Sequence, residues 1–162
     1  MSCTLIVIRH AKSDWDVPVP DRDRPLSARG RSQAPATGQW LAAHVPDIEL
    51  ALVSEATRTR QTWELVRAEL PGDPTTRIER AAYTFDGDEL LDLVRRLPAD
   101  VHTAAIVSHN PAVEELVGFL TGEWVPMPTS ALAVIELPSW RVRGSLVETG
   151  RPADGRGSLR RR

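Results

Sequence analysis

Residues 4–11 read TLIVIRHA, an apolar run that ends in an arginine and a histidine. The run is continuous and rich in β-branched side chains, which predicts a strand that is covered on both faces. Strands of this kind occur mainly in parallel sheets with helices on either side. We therefore expect residues 4–8 to form a central strand, with Arg9 and His10 at its carboxyl end.

Short apolar runs and amphipathic stretches alternate through the rest of the chain. Residues typical of helix ends separate them, such as Ser27 before the first helix, Asn110 before the last and Pro98 after the third. The predicted helices cover residues 27–43, 57–70, 88–97 and 111–120, and the other predicted strands cover residues 49–53, 76–79, 104–107, 131–137 and 141–147. This alternation predicts an α/β fold, a three-layer sandwich with a mostly parallel central sheet and helices on both faces.

The composition is that of an ordinary globular protein. The chain has 162 residues, of which 41% are apolar and 26% charged, and it has one cysteine. Its length fits one domain, and the single cysteine excludes an internal disulfide framework and a cysteine-rich zinc site. The longest apolar run near the start, residues 5–8, is too short for a signal peptide or a membrane span. We therefore expect a cytoplasmic protein without a membrane partner.

Charge divides the chain near its end. Residues 141–162 hold seven of the 20 basic residues but only two of the 22 acidic ones. We assign residues 1–149 to one folded domain, and residues 150–162, rich in Gly, Pro and Arg, to a basic, disordered tail. The tail could contact nucleic acid or an acidic partner, or simply be solvated. The acidic body argues against a nucleic-acid partner, and the sequence does not define the oligomeric state.

Basic and imidazole side chains follow three of the predicted strands. Arg9 and His10 end the first strand, and Arg58 opens the helix after the second. His109 follows the strand over residues 104–107. The carboxyl ends of neighbouring parallel strands lie at one edge of a sheet, where α/β proteins bind ligands, and two helix N-termini would point free amide groups there. Two arginine forks at such an edge predict a site for a phosphoryl group.

Three segments carry these residues and read, in chain order, IRHA (8–11), SEATRTRQT (54–62) and VSHNP (107–111). In this order they resemble the histidine phosphatase, or phosphoglycerate mutase-like, superfamily. Two further segments, RHAKSDW (9–15) and DRPLS (23–27) with Gly30, resemble its small SixA-like phosphohistidine phosphatase branch. The resemblance spans residues 4–137 and implies that residues 1–149 form a histidine phosphatase-like catalytic domain.

The resemblance also implies a role for each basic residue. His10 is then the nucleophile, which becomes a phosphohistidine, and Arg9, Arg58 and His109 bind the phosphoryl oxygens without a metal or other cofactor. The chemistry agrees, since guanidinium charges disfavour a protonated imidazole and stabilise charge on the transferred group. Ala11 stands where the superfamily usually has glycine, and alanine would restrict a backbone that needs a positive φ.

The segment over residues 11–26 is long for a link between a strand and a helix, and such loops often carry function. We expect it to line the rim of the pocket. Within it, Arg24 and Lys12 are candidates for further contacts with the substrate.

A general acid is the open point. Many superfamily members protonate an alcohol leaving group with a carboxylate, and Glu79, Asp86 and Asp88 are candidates here. The SixA-like branch is thought to manage without one, because the nitrogen of a phosphoramidate leaves more readily than an alkoxide. We therefore predict a phosphatase that hydrolyses phosphohistidine in a protein. The alternatives are a small-molecule phosphomonoesterase or mutase that uses one of these carboxylates, and a non-catalytic module that binds phosphorylated partners.

Overall fold

Strand β1, Cys3–Arg9, lies inside one mixed sheet in the computed structural model, which describes residues 2–153 and 159–161. β1 pairs in parallel with β4, Thr103–Ser108, and antiparallel with β5, Leu132–Leu137. Beyond β4 lie the parallel strands β2, Leu50–Ser54, and β3, Thr75–Glu79. Beyond β5 lie the antiparallel strands β6, Ser145–Gly150, and β7, Arg160–Arg161. The order among the described residues is β3-β2-β4-β1-β5-β6-β7.

Helices cover both faces of this sheet. They are α1 (Ala28–His44), α2 (Thr57–Arg67), α3 (Gly87–Arg95) and α4 (Ala112–Thr121). α1 and α2 pack against one face, and α3 and α4 against the other. Strand β1 supplies Leu5 and Val7 to one core and Ile6 and Ile8 to the other, and all four are fully buried. The predicted α/β sandwich is therefore confirmed, with a sheet that is parallel in its β3-β2-β4-β1 half.

The register of the parallel strands brings the three predicted strand ends to one level. Ile8 pairs with Val107, and Val107 pairs with Val53 on the next strand. The residues that follow, Arg9, Ser108 and Ser54, therefore lie at the same edge of the sheet. The backbone N–H of His10 donates to the carbonyl of Ser108 (3.1 Å), which holds the end of β1 beside the end of β4.

The strand predicted over residues 141–147 is present but lies later in the chain, as β6, Ser145–Gly150, so the prediction is wrong for residues 141–144. Trp140 is buried, and its indole N–H donates to the carbonyl of Val101 (2.8 Å). This bond ties the segment before Ser145 to another loop and keeps it out of the sheet. An alternating pattern of side chains could not reveal such an anchor.

Helix α4 also begins differently from the prediction. Its N-cap is Pro111, and the amide of Asn110 does not cap it but donates to the Glu114 carboxylate (2.7 Å) and the Met127 carbonyl (3.1 Å). In the predicted tail, Arg160–Arg161 pair with β6, whereas residues 154–158 and 162 lie outside the described residues. No helix in the described ranges is long and apolar enough to cross a membrane.

Candidate active site

A polar cavity of about 220 Å³ opens at the carboxyl ends of β1, β2 and β4. All six residues that the sequence predicted for the site line it. The lining residues are Arg9, His10, Lys12, Ser13, Trp15, Asp21, Arg24, Arg58, Phe85, His109, Asn110 and Thr129. The structure therefore brings the three strand ends together as the register requires, and it adds residues from the loop over 11–26, as expected.

His10 is held in one orientation at the floor of this cavity. Its ring is buried, and Nδ1 lies 2.7 Å from the carbonyl oxygen of Ala11. A carbonyl oxygen only accepts hydrogen bonds, so Nδ1 carries the proton and Nε2 keeps its lone pair. Burial lowers the pKa of His10 to about 3, against the Ala11 bond and together with the charges of Arg58 and Arg9. The ring is therefore neutral at physiological pH and presents an unprotonated Nε2.

Ala11 fits its position without strain. Among the described residues other than glycine, a positive φ occurs only at Ser130, so the backbone here does not need the glycine that is usual in the superfamily. The N–H of Ala11 donates to the hydroxyl of Thr62 (2.9 Å), which itself donates to the carbonyl of Arg58 (2.7 Å). These bonds fix the peptide next to His10 against helix α2.

The two predicted arginines approach the cavity from different elements. Arg9 donates from Nη1 to the carbonyl of Met127 (3.1 Å), and its Nε has no partner in the described part of the chain. Arg58, in the first turn of α2, is 2% exposed. It donates through Nη1 and Nη2 to the carbonyl and the carboxylate of Asp21 (2.7 and 3.0 Å). Both guanidinium groups thus line the same small cavity, one from the end of β1 and the other from the helix that follows β2.

His109 is the fourth of the residues predicted at the strand ends. Its ring centroid lies 5.3 Å from that of His10. Nε2 is 2.8 Å from the hydroxyl of Ser54, and the buried Nδ1 finds no partner within residues 2–153 and 159–161. Burial lowers its pKa to about 3, and His10 and Arg58 act in the same direction. If the Ser54 hydroxyl donates to Nε2, Nδ1 carries the proton and offers an unused donor to an anion.

Arg24 and Lys12, the two further residues predicted to contact the substrate, differ in burial. Arg24 is buried, donates to the Ser13 hydroxyl, and places its guanidinium carbon 3.6 Å from the centre of the Trp15 ring. Lys12 is exposed, and its backbone N–H and carbonyl bond to Gln33 and Ser27. Arg24 is therefore fixed in the wall, whereas Lys12 lies at the rim.

None of the three predicted general-acid candidates lines the cavity that the described residues form. Glu79 pairs with the exposed Arg77 (2.7 Å). Asp86 caps α3 by accepting from the backbone N–H of Asp88 (2.9 Å), and Asp88 lies exposed in the first turn of that helix. Helix capping and a surface ion pair account for these carboxylates.

Asp21 is the carboxylate that sequence reasoning missed. It lies in a short 3₁₀ turn, Asp21–Asp23, and accepts from Arg24 (2.5 Å), Arg58 (3.0 Å) and the Tyr83 hydroxyl (2.6 Å). Burial raises the pKa of Asp21, but hydrogen bonds from Tyr83, Arg24 and Arg58 outweigh it and hold the pKa far below its usual value. The spacing of Asp21 and Arg24 would have signalled a local pair, but only the fold brings Arg58 and Tyr83 to it.

The side chains that line the cavity are mostly hydrogen-bond donors and cations. Within the described ranges, no group of three or more His, Cys, Asp or Glu side chains is placed to bind a metal ion. The cavity instead combines guanidinium groups and neutral imidazoles, a set of donors that suits a phosphoryl group.

Comparison with known proteins identifies the family of this chain. Residues 5–98 match the model of the histidine phosphatase superfamily, branch 1. An uncharacterized protein from Mycobacterium leprae is 34% identical over 144 residues, which cover 80% of this chain and 87% of the relative.

Two solved structures also share the fold over nearly their whole length. One, from Nakamurella multipartitia, is provisionally identified as the phosphohistidine phosphatase SixA and has a TM-score of 0.85, 27% identity and coverage of 94% of this chain and 98% of its own. The protein histidine phosphatase SixA, complexed with tungstate, has a TM-score of 0.83, 26% identity and coverage of 92% and 97%. The family match, together with the Arg9-His10 pair that lines the cavity at the end of β1, means that this chain belongs to the histidine phosphatase superfamily.

Proposed function

We propose that this protein is a metal-independent phosphatase that removes the phosphoryl group from phosphohistidine in a protein, through a phosphohistidine intermediate on His10. One observation carries the proposal. The cavity pairs a neutral imidazole nucleophile with several cations, while its carboxylate, Asp21, is held ionised and is therefore a poor proton donor. Such a site suits a leaving group that needs no proton from the enzyme.

The first displacement starts at Nε2 of His10. Its lone pair attacks phosphorus, and the bond between phosphorus and the substrate nitrogen breaks, with the electron pair staying on that nitrogen. The ring of His10 becomes an imidazolium, whose Nδ1 keeps its proton and donates it in a hydrogen bond to the Ala11 carbonyl, 2.7 Å away. Because a fixed acceptor stabilises that proton, the carbonyl lowers the free energy of the phosphorylated state.

Arg9, Arg58 and His109 are proposed to bind the phosphoryl oxygens in both steps. The side chains reach the same cavity from β1, α2 and the end of β4, so their positions are fixed before substrate arrives. Donors that are arranged in advance need no reorganisation when charge develops on the transferred group. Their contribution is electrostatic, as is usual for phosphoryl transfer.

The second displacement uses water. A water molecule attacks phosphorus, the bond to Nε2 breaks, and the electron pair returns to His10, which is neutral again. The protons of the water pass to phosphate and solvent, and inorganic phosphate leaves. The cycle uses two displacements on one nucleophile, as in other covalent mechanisms.

The leaving group decides between the candidate substrates. Phosphohistidine that is protonated on its second ring nitrogen releases a neutral imidazole, so the first displacement requires no proton transfer. An alkyl phosphate releases an alkoxide unless an acid protonates it. Since Glu79, Asp86 and Asp88 lie away from the cavity wall, phosphohistidine is the better match.

The mouth of the cavity also suits a side chain presented by a protein. Trp15 and Phe85 line it and are 71% and 58% exposed. Exposed aromatic rings beside a polar pocket are typical of surfaces that contact proteins. The cytoplasmic location that the sequence predicts remains part of this proposal.

A substrate panel tests the proposal directly. The wild-type protein would be given a phosphohistidine protein, p-nitrophenyl phosphate, an alkyl phosphomonoester and phosphoglycerate, each with and without a chelator. We expect the highest kcat/KM for phosphohistidine, with no effect of the chelator. Equal rates on alkyl esters, or a loss of activity with chelator, would contradict it. A protein that binds these phosphates but hydrolyses none would be a binding module.

A further inference from the structure

Asp21 places a negative charge in a cavity whose other charged lining residues are basic. The side chain is 45% exposed, while its partners Arg24 and Arg58 have side chains that are 8% and 2% exposed. The turn over residues 21–23 is thus fixed to the wall by two buried cations, and part of the carboxylate still lies at the cavity surface.

The hydrogen bonds of Asp21 leave one acceptor position open. Oδ2 accepts from Arg58 and from the Tyr83 hydroxyl, whereas Oδ1 accepts only from Arg24 among the described residues. An ionised carboxylate has about four lone-pair sites, two on each oxygen. Oδ1 can therefore accept one further hydrogen bond from a group that enters the cavity.

The charge at this position determines which groups can enter. A second anion near Asp21 would be repelled, whereas a cationic N–H donor would be attracted. The leaving group of phosphohistidine is such a donor when its second ring nitrogen is protonated. The leaving oxygen of an alkyl or aryl phosphate carries no N–H and develops negative charge.

We propose that Asp21 determines substrate specificity, its Oδ1 accepting a hydrogen bond from the second ring N–H of the substrate's phosphohistidine and holding that ring as an imidazolium. This inference rests on the proposed function and adds the residue that binds the leaving imidazole and distinguishes it from an alcohol. When the bond between phosphorus and nitrogen breaks, its electron pair stays on the imidazole nitrogen, the ring becomes neutral, and the proton stays on the nitrogen that faces Asp21. No proton is transferred in the step.

Asp21→Asn tests the proposal, with Asp23→Asn as the matched control. Asp23 lies in the same turn and is exposed, but it does not line the cavity, so both variants remove one charge from one short segment. For each variant, kcat/KM would be measured with a phosphohistidine peptide and with p-nitrophenyl phosphate. The readout is the ratio of the two values, because a mere disturbance of Arg24 and Arg58 would lower both.

We expect the ratio to fall about 10- to 100-fold in Asp21→Asn, the range for a hydrogen bond between charged groups, and to stay unchanged in Asp23→Asn. Asp21→Glu, which keeps the charge, should restore part of the ratio, and thermal unfolding would verify that each variant is folded. An equal loss on both substrates would overturn the inference and leave Asp21 as a positioning residue for the arginines. If the wild-type protein does not hydrolyse phosphohistidine at all, the proposed function itself fails.

Discussion

The cavities at the two ends of the parallel strands differ in chemical character. The cavity at the carboxyl ends, about 220 Å³, is surrounded by buried His10, Arg24, Arg58 and His109. The one at the amino ends, about 360 Å³, is lined by Cys3, Leu97, Ala99, His102, Ser139, Trp140 and Arg141. The larger cavity carries little buried charge, so size does not mark the functional site.

Buried polar groups are the informative difference between the two ends. Burying a polar or charged group costs free energy unless it is paired, and several atoms at the carboxyl end are buried without partners in the described ranges, among them Arg9 Nε and His109 Nδ1. At the amino end the Trp140 indole is satisfied by a backbone carbonyl. Four of the five such atoms in the described residues belong to side chains that line the carboxyl-end cavity, the fifth being the indole nitrogen of Trp40. This concentration of unpaired buried atoms indicates a ligand at the carboxyl end.

The largest expected effect is on kcat/KM, and it distinguishes His10 at the carboxyl ends of the strands from His102 at their amino ends. Replacing His10 by Ala removes the nucleophile, and we expect kcat/KM to fall by about 10⁴-fold or more. His102→Ala, at the amino-end cavity, should leave kcat/KM unchanged. Steady-state kinetics on the preferred substrate would measure both. Residual activity in His10→Ala within tenfold of wild type would exclude His10 as the nucleophile.

A second prediction concerns the shape of the cation on α2. Arg58→Lys keeps the charge but loses the fork that holds Asp21 through two nitrogens. We expect kcat/KM to fall by about 10²- to 10³-fold, the usual cost of losing a placed donor to the transferred group. Arg60→Lys, two residues further and exposed, is the control. Equal activity of the two variants would mean that Arg58 acts only as a diffuse positive charge.

The buried histidines also make stability depend on pH. The pKa values of His10 and His109 are lowered to about 3 in the folded protein from about 6.5 in the unfolded chain. Between these values the unfolded state binds more protons, so stability is lost as pH falls from 6.5 towards 3. We expect this loss, on the order of a few kcal/mol, to be smaller in His10→Gln.

Urea unfolding at a series of pH values would measure this dependence. His102→Gln serves as the control, because its ring is not in the carboxyl-end cavity. Parallel stability curves for wild type and His10→Gln below pH 6.5 would show that His10 is not buried as a neutral ring.

The smallest expected effect lies at the amino end and should change stability alone. Trp140→Phe removes the hydrogen bond to the Val101 carbonyl and some packing. We expect a loss of about 1–2 kcal/mol in the free energy of unfolding with unchanged kcat/KM. Trp124→Phe, at a ring that is 62% exposed, should cost less than about 0.5 kcal/mol. A drop in activity of Trp140→Phe at full stability would mean that the two ends communicate.

The elements that sequence patterns predicted best are those with strong local signals. The buried run of β1 and the Ser27 cap of α1, whose hydroxyl accepts from the Gly30 N–H (3.2 Å), lie as expected. The basic residues at strand ends could be placed because parallel strands align their carboxyl ends. Gly30 has a reason that only the fold reveals, since a Cβ there would overlap the carbonyl oxygen of Lys12.

Long-range contacts account for what the sequence could not predict. Asp21 is 37 residues from Arg58 and 62 from Tyr83, so no local spacing could join them. Glu114 accepts from Asn110 and from the Met127 N–H (2.9 Å), and thereby holds the carbonyl that Arg9 contacts. Such supporting residues depend on loop conformations, which carry weak sequence signals.

The most direct test is to identify the nitrogen that is phosphorylated. The protein would be mixed rapidly with a phosphohistidine substrate, quenched in alkali, and examined by ³¹P NMR and mass spectrometry. Because Nδ1 of His10 donates to the Ala11 carbonyl, we predict an acid-labile phosphoenzyme with phosphorus on Nε2 of His10, absent from His10→Ala. A phosphoryl group on Nδ1 or on another residue, or full turnover without any phosphoenzyme, would contradict the account.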